Sequence, residues 1–163
     1  MTDIHETLAV SVAGVSPQGA LSAALVARAN VLEMTDAAEK AVLAPQEPGA
    51  WSHDLRAAIA ARVARLNGEI TAAARYAARM DAQTYAKLID PADDGVALGL
   101  GLVMRFVDAV AVRPRDIAAA DIAALQKSGV SDADIVRLCE LNAFLSYQLR
   151  LIAGLRLMNE AVA

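Results

Sequence analysis

Few side chains in this chain are of types that do chemistry, and none of them forms a complete catalytic set by spacing. Glu69 and Arg75 follow the pair Asn67-Gly68 and are candidates to line one cavity. Six residues apart on a helix, they do not share a face, so an intrahelical salt bridge is not expected. Tyr147 lies three residues before Arg150, which lets the two share a helix face and pair with a carboxylate across a subunit boundary. An acid–base role is the alternative for Tyr147. Arg62 and Arg65 before the hinge, with Arg75 and Arg79 after it, could hold a small anion; the competing reading has their stems covering apolar surface and their heads in water. Cys139 is the single cysteine, so no internal disulfide can form. Flanked by Leu138 and Leu141, it is expected to be a buried, unreactive thiol. His5 and His53 are isolated, with no ligand partner at helical spacing, and predict no metal site. Gly95, Gly99 and Gly101 lack the preceding strand and following Lys of a phosphate loop. No cofactor is implied.

The elements that must position these residues are helices. Leu55, Ile59, Val63 and Leu66 recur at helical spacing, and beyond Asn67-Gly68 come Ile70, Ala73, Ala74, Ala77 and Met80. Leu55 to Met80 therefore reads as two short helices, or one broken helix, hinged at Asn67-Gly68. Upstream, Asp3 to Val15 predicts a first helix. Ser16-Pro17 predicts the start of a second that runs to about Asn30, with Ser16 as its cap. Thr35-Asp36 offers a further start. Pro45 to Gly49 (PQEPG) is the clearest loop, with Trp51 as a plug seating it on the core and Ser52 as the next cap. Downstream, Asp81 predicts a capped short helix through Tyr85 and Leu88. Val96 to Val112 predicts one long apolar helix despite its glycines. Ala119 to Lys127 predicts a brief helix closed by Ser128-Gly129. Ser131 caps a last helix to about Glu160, with Asp132 and Asp134 in its first turn. Asn142 falls on that helix's apolar stripe and is expected to hydrogen-bond another helix. No strand-like alternation or fixed repeat is present. The fold class is all-α, in a single helical domain over residues 1–163.

The totals narrow the function classes. The chain has 163 residues, 56% of them hydrophobic, and a net charge of -4. It can bury a real core. Its mean hydropathy of +0.38 is carried largely by Ala. Arg105 and Asp108 interrupt the longest apolar run, which argues against a membrane span. The surplus apolar surface is expected to form a subunit interface. With no basic block and few aromatics, nucleic acid is not an expected partner. The opening MTDIHETLAV has acidic residues where a signal peptide needs basic ones, so a cytoplasmic location is expected.

Two segments carry a resemblance. LNGEITAAARY and DIAALQKSGVSDADIVRLCELNAFLSYQLR resemble the carboxymuconolactone decarboxylase family, which includes alkylhydroperoxidase D and peroxidase-related proteins. The likeness covers roughly residues 50–158; residues 1–48 look like the N-terminal part of a subgroup described only as CMD-domain proteins. It implies an alkylhydroperoxidase D-like helical bundle and a homo-oligomer, as dimer, trimer or hexamer. It also implies where chemistry would sit. Redox members carry Asn-x-Cys-x-x-Cys-x-x-His at the hinge, with a Glu one helix earlier. Laid on Asn67, the two Cys fall on Glu69 and Ala72, the His on Arg75, and the upstream Glu on Ala57. None of these can act as a thiolate and its resolving thiol, and Arg does not deprotonate. The expectation is a relative without thiol peroxidase activity that acts as a binding or structural oligomer. Two alternatives are a cysteine-independent decarboxylase-type enzyme using Glu69, Arg75 or Tyr147 on a small carboxylated substrate, and peroxidase-related activity by another route.

Overall fold

The computed structural model describes residues 3–161. Every regular element among them is helical. The α-helices are α1 (Leu8–Ala13), α2 (Ser22–Val26), α3 (Ala29–Leu43), α4 (His53–Leu66), α5 (Ile70–Ala77), α6 (Gly101–Val112), α7 (Ala119–Lys127) and α8 (Asp132–Ala161). Short 3-10 turns connect them.

Helix α4 is the centre. Leu55, Ile59 and Val63 are buried as their spacing predicts, and Ala57, Ala58, Ala60, Ala61 and Ala64 are buried as well. A helix buried on every side, two of its arginines included, sits in the middle of a bundle. The small Ala side chains let α3, α5, α6, α8 and the Gln83–Ile89 turn pack around it. Helix α8 runs along this centre for 30 residues and also contacts α1 and α3.

Several local expectations hold. Ser52 accepts a hydrogen bond from the Leu55 amide at 3.2 Å and caps α4. Ser131 does the same for the Asp134 amide at 3.1 Å, at the start of α8. Trp51 is buried and donates through Nε1 to the Asp134 carbonyl at 2.7 Å, fastening the PQEPG loop to α8. Helix α7 ends at Ser128, with Gly129 at φ 94°.

Other expectations are corrected. The Asp3–Val15 helix is split at Thr7, whose hydroxyl donates to the Ile4 carbonyl; a 3-10 turn precedes it and α1 follows. No helix begins at Pro17, because Ser16 engages Gln18 in a local turn and α2 starts only at Ser22. Thr35-Asp36 starts nothing. Thr35 donates to the Val31 carbonyl at 2.8 Å inside the uninterrupted α3. Asp81 caps no helix. Its amide and that of Ala82 donate to Asp54, each at 3.0 Å, and a 3-10 turn follows from Gln83. Val96 to Val112 is not one helix. Gly99 adopts φ 72° and separates a 3-10 turn from α6, a left-handed step that glycine takes at little cost.

No helix among the described residues is long and apolar enough to cross a membrane.

Candidate functional site

The hinge after α4 is a Gly-closed helix end. The Gly68 amide donates to the Arg65 carbonyl, and the Glu69 amide to the Ala64 carbonyl, both at 2.9 Å. Gly68 sits at φ 76°. This six-to-one and five-to-two pattern is what a glycine one residue past a helix end produces. Asn67 adds a side-chain bond to the Val63 carbonyl at 2.9 Å. The hinge is rigidly specified by local sequence, and it turns Glu69 toward α8.

There Glu69 Oε2 accepts from Arg156 Nη2 at 2.8 Å. The pair borders a cleft of about 300 Å³, whose lining also includes Asn67, Ser146 and Arg150. Arg150 donates through Nη1 to the Ser146 carbonyl at 2.8 Å, one turn back on its own helix. That leaves its remaining guanidinium donors for another acceptor. With two guanidinium groups and one carboxylate, the cleft has a surplus of positive charge.

The predicted site residues do not converge. Glu69 lines the cleft. Arg75 is exposed and does not; six helical steps turn it away from Glu69. Tyr147 lies on the seam between α3 and α8, its hydroxyl 2.8 Å from Thr35 Oγ1 and its ring 6.2 Å from that of Phe144. Among the described residues of the chain itself no carboxylate meets it. The expected cluster of Arg62, Arg65, Arg75 and Arg79 is dispersed. Arg62 is fully buried and bound to Asp108 and to four loop carbonyls. Arg79 is paired with Glu39, and Arg65 lines a different cleft with Lys87 and Asp90.

Cys139 is exposed rather than packed inside, because the stripe of α8 facing the core is Ile135, Leu138, Asn142 and Leu145. Local desolvation and, after it, the Glu140 charge raise its thiol pKa. The sulfur is not among the groups lining the hinge cleft. Asn142 makes no bond to another helix among the described residues. Its Nδ2 donates to the Leu138 carbonyl at 3.0 Å on α8 itself, and its Oδ1 is buried without a partner among the described residues. His53 faces the Pro45 carbonyl at 2.9 Å and His5 faces Ser22 at 3.2 Å. No group of three or more His, Cys, Asp or Glu is placed to hold a metal among the described residues.

No family model, curated protein or solved structure matches this chain. The likeness at residues 50–158 rests on the motif residues alone.

Sequence reasoning missed a second polar centre. Glu39 is 2% exposed. It accepts from Gln148 Nε2 at 2.9 Å and pairs with Arg79. Burial raises its pKa, and Arg79 opposes that rise. The Tyr76 hydroxyl is buried nearby without a partner among the described residues; burial and then Glu39 push its pKa up. The signal was present: Leu32, Thr35, Glu39 and Leu43 fall on the buried stripe of α3, and an acid on such a stripe must find a cation or a proton. Arg156 carried no comparable signal, since its partner is distant in sequence.

Proposed function

We propose that the chain is a thiol-independent relative of the carboxymuconolactone decarboxylase and alkylhydroperoxidase D proteins, and that its hinge cleft binds a small carboxylate. The observation that carries this reading is the cleft itself. At Glu69, where the resemblance implies the first cysteine of a sulfur pair, the lining is Glu69, Arg156, Arg150 and Ser146. Arg150 keeps planar donors suited to a carboxylate fork. The Glu69–Arg156 pair fixes Arg156 on one wall, so the incoming anion is met by Arg150 first.

The chain acts as a binding protein that assembles with copies of itself. Support for assembly is the exposure of Val31, Met34, Val136, Tyr147 and Leu157, more large apolar surface than a lone small domain needs. The decarboxylase-type alternative has lost two of its three groups from the cleft, because Arg75 and Tyr147 lie elsewhere; it would depend on Glu69 alone for proton transfer.

Calorimetric titration with succinate and with benzoate tests the reading. Saturable binding is expected, roughly tenfold weaker in Arg150→Ala, as fits the loss of a charge-assisted hydrogen bond. Peroxide consumption with a thiol reductant is expected at buffer level. Absent binding of either anion, or peroxide turnover that vanishes in Cys139→Ser, overturns it.

A further inference from the structure

The outward face of α8 is largely uncovered among the described residues, touched only at its edge where Tyr147 bonds Thr35 of α3, and carries an unusual order of residues. Val136, Ala143, Tyr147, Gly154 and Met158 fall within an arc of about 60° at 100° per residue. Val136 is 55% exposed, Tyr147 45% and Met158 48%. Glu140 and Arg150 flank this stripe and are both exposed. Neither makes an ion pair among the described residues. On one side the stripe borders α3, whose Val31 and Met34 are exposed beside the Thr35–Tyr147 bond. On the other it borders the hinge cleft, which Arg150 also lines.

The order of these residues is self-complementary. Glu140 and Arg150 lie five residues either side of position 145. Ala143 and Tyr147 lie two either side of it, and Val136 and Gly154 nine. Residue 145 itself is Leu, buried on the opposite face of α8. Two copies of α8 crossing antiparallel at this level would set Glu140 against Arg150 twice, Tyr147 against Ala143 twice and Val136 against Gly154 twice. In these three pairs a large side chain meets a small one or a charge meets its opposite, while Met158 falls opposite Asp132 towards the helix ends. A parallel pair would instead set Tyr147 on Tyr147 and Glu140 on Glu140.

We infer that a second copy of this chain docks antiparallel on the outward face of α8, with Glu140 of each copy paired to Arg150 of the other. This deepens the assembly part of the functional reading by naming the face and its direction. Crossing of this kind matches the shallow angle at which left-handed helix pairs pack.

Light scattering at micromolar protein tests the inference, with circular dichroism to verify folding. Wild type is expected as a dimer or a multiple of one. Glu140→Arg and Arg150→Glu are each expected to weaken assembly at least tenfold, because like charges then face one another twice. The double variant E140R/R150E is expected to recover it. Oxidation of wild type by copper phenanthroline is expected to give no cross-linked dimer, because antiparallel pairing sets the two Cys139 thiols about 18 Å apart along the helix. Single reversals that assemble like wild type, a double variant that does not recover, or a Cys139–Cys139 disulfide each overturn the inference, while leaving assembly through another face standing. A wild type that stays monomeric, its α8 face left to solvent or to a different protein, overturns both. Glu140 is not among the residues lining the cleft, so Glu140→Arg tests assembly without replacing any side chain of the carboxylate site.

Discussion

Arg62 grips Asp108 through two parallel hydrogen bonds, Nε to Oδ1 at 2.6 Å and Nη2 to Oδ2 at 2.7 Å. The guanidinium also gathers the carbonyls of Leu88, Asp90, Pro91 and Asp93 at 2.8–3.1 Å. A cation inside the bundle thus ties α4 to α6 and shapes the Asp90–Gly95 loop. Nearly all its donors are used, which is how a buried charge avoids a large desolvation cost.

Arg62→Met tests this assignment. It would strand the Asp108 carboxylate and four carbonyls together. A loss of about 3–5 kcal/mol is expected, read by urea denaturation. Asp108→Asn keeps one acceptor for the guanidinium and is expected to cost less. Equal stability of Arg62→Met and wild type would refute the role.

Glu39 gives a pH dependence with a definite sign. Its carboxyl pKa is raised in the fold from 4.5, chiefly by burial. The native state therefore binds more protons than the unfolded chain between pH 4.5 and the raised value. Stability contributed by this group is complete below 4.5 and is lost as pH rises through the folded pKa. Denaturation of wild type and Glu39→Gln from about pH 4 to about pH 8 should show wild type declining relative to the variant as pH rises. Parallel curves would contradict the assignment.

Gly49 closes the PQEPG loop at φ 64°, against the side chains of Asp134 and Arg137. A Cβ would overlap Asp134 Oδ1, the same atom that accepts the Ala50 amide at 3.0 Å. Gly49→Ala is expected to cost about 1–3 kcal/mol, from strain at positive φ and loss of that anchor. Thermal melting reads the change. An unchanged midpoint would show that the loop is not fastened through Asp134.

Asn142 is fully buried, and its Oδ1 has no partner among the described residues. Asn142→Leu removes that penalty and fills the site with apolar atoms. A gain of about 1 kcal/mol is expected by urea denaturation. A loss of that size would mean that the amide oxygen has a partner in solution.

The helical class, the hinge and the two C-terminal helices are legible in the residue order. Those features are set by neighbours in the chain: Gly68 and Gly129 each supply the left-handed residue that ends a helix, and Ser52 and Ser131 each supply an oxygen to a free amide. Local signals of the same kind misled at Ser16, Thr35 and Asp81, where a side chain able to cap a helix was engaged otherwise or left aside. The Val96–Val112 stretch misled differently. Its apolar composition suits a helix, but a single left-handed glycine interrupts it. What the charged residues do emerges from packing between distant elements. Arg62 and Asp108 are 46 residues apart, Glu69 and Arg156 are 87, and Glu39 and Gln148 are 109. A charge reads alike in sequence whether it faces water or a distant partner. Which of the two it meets is fixed by how helices pack, and that depends on volume and shape summed over the whole core.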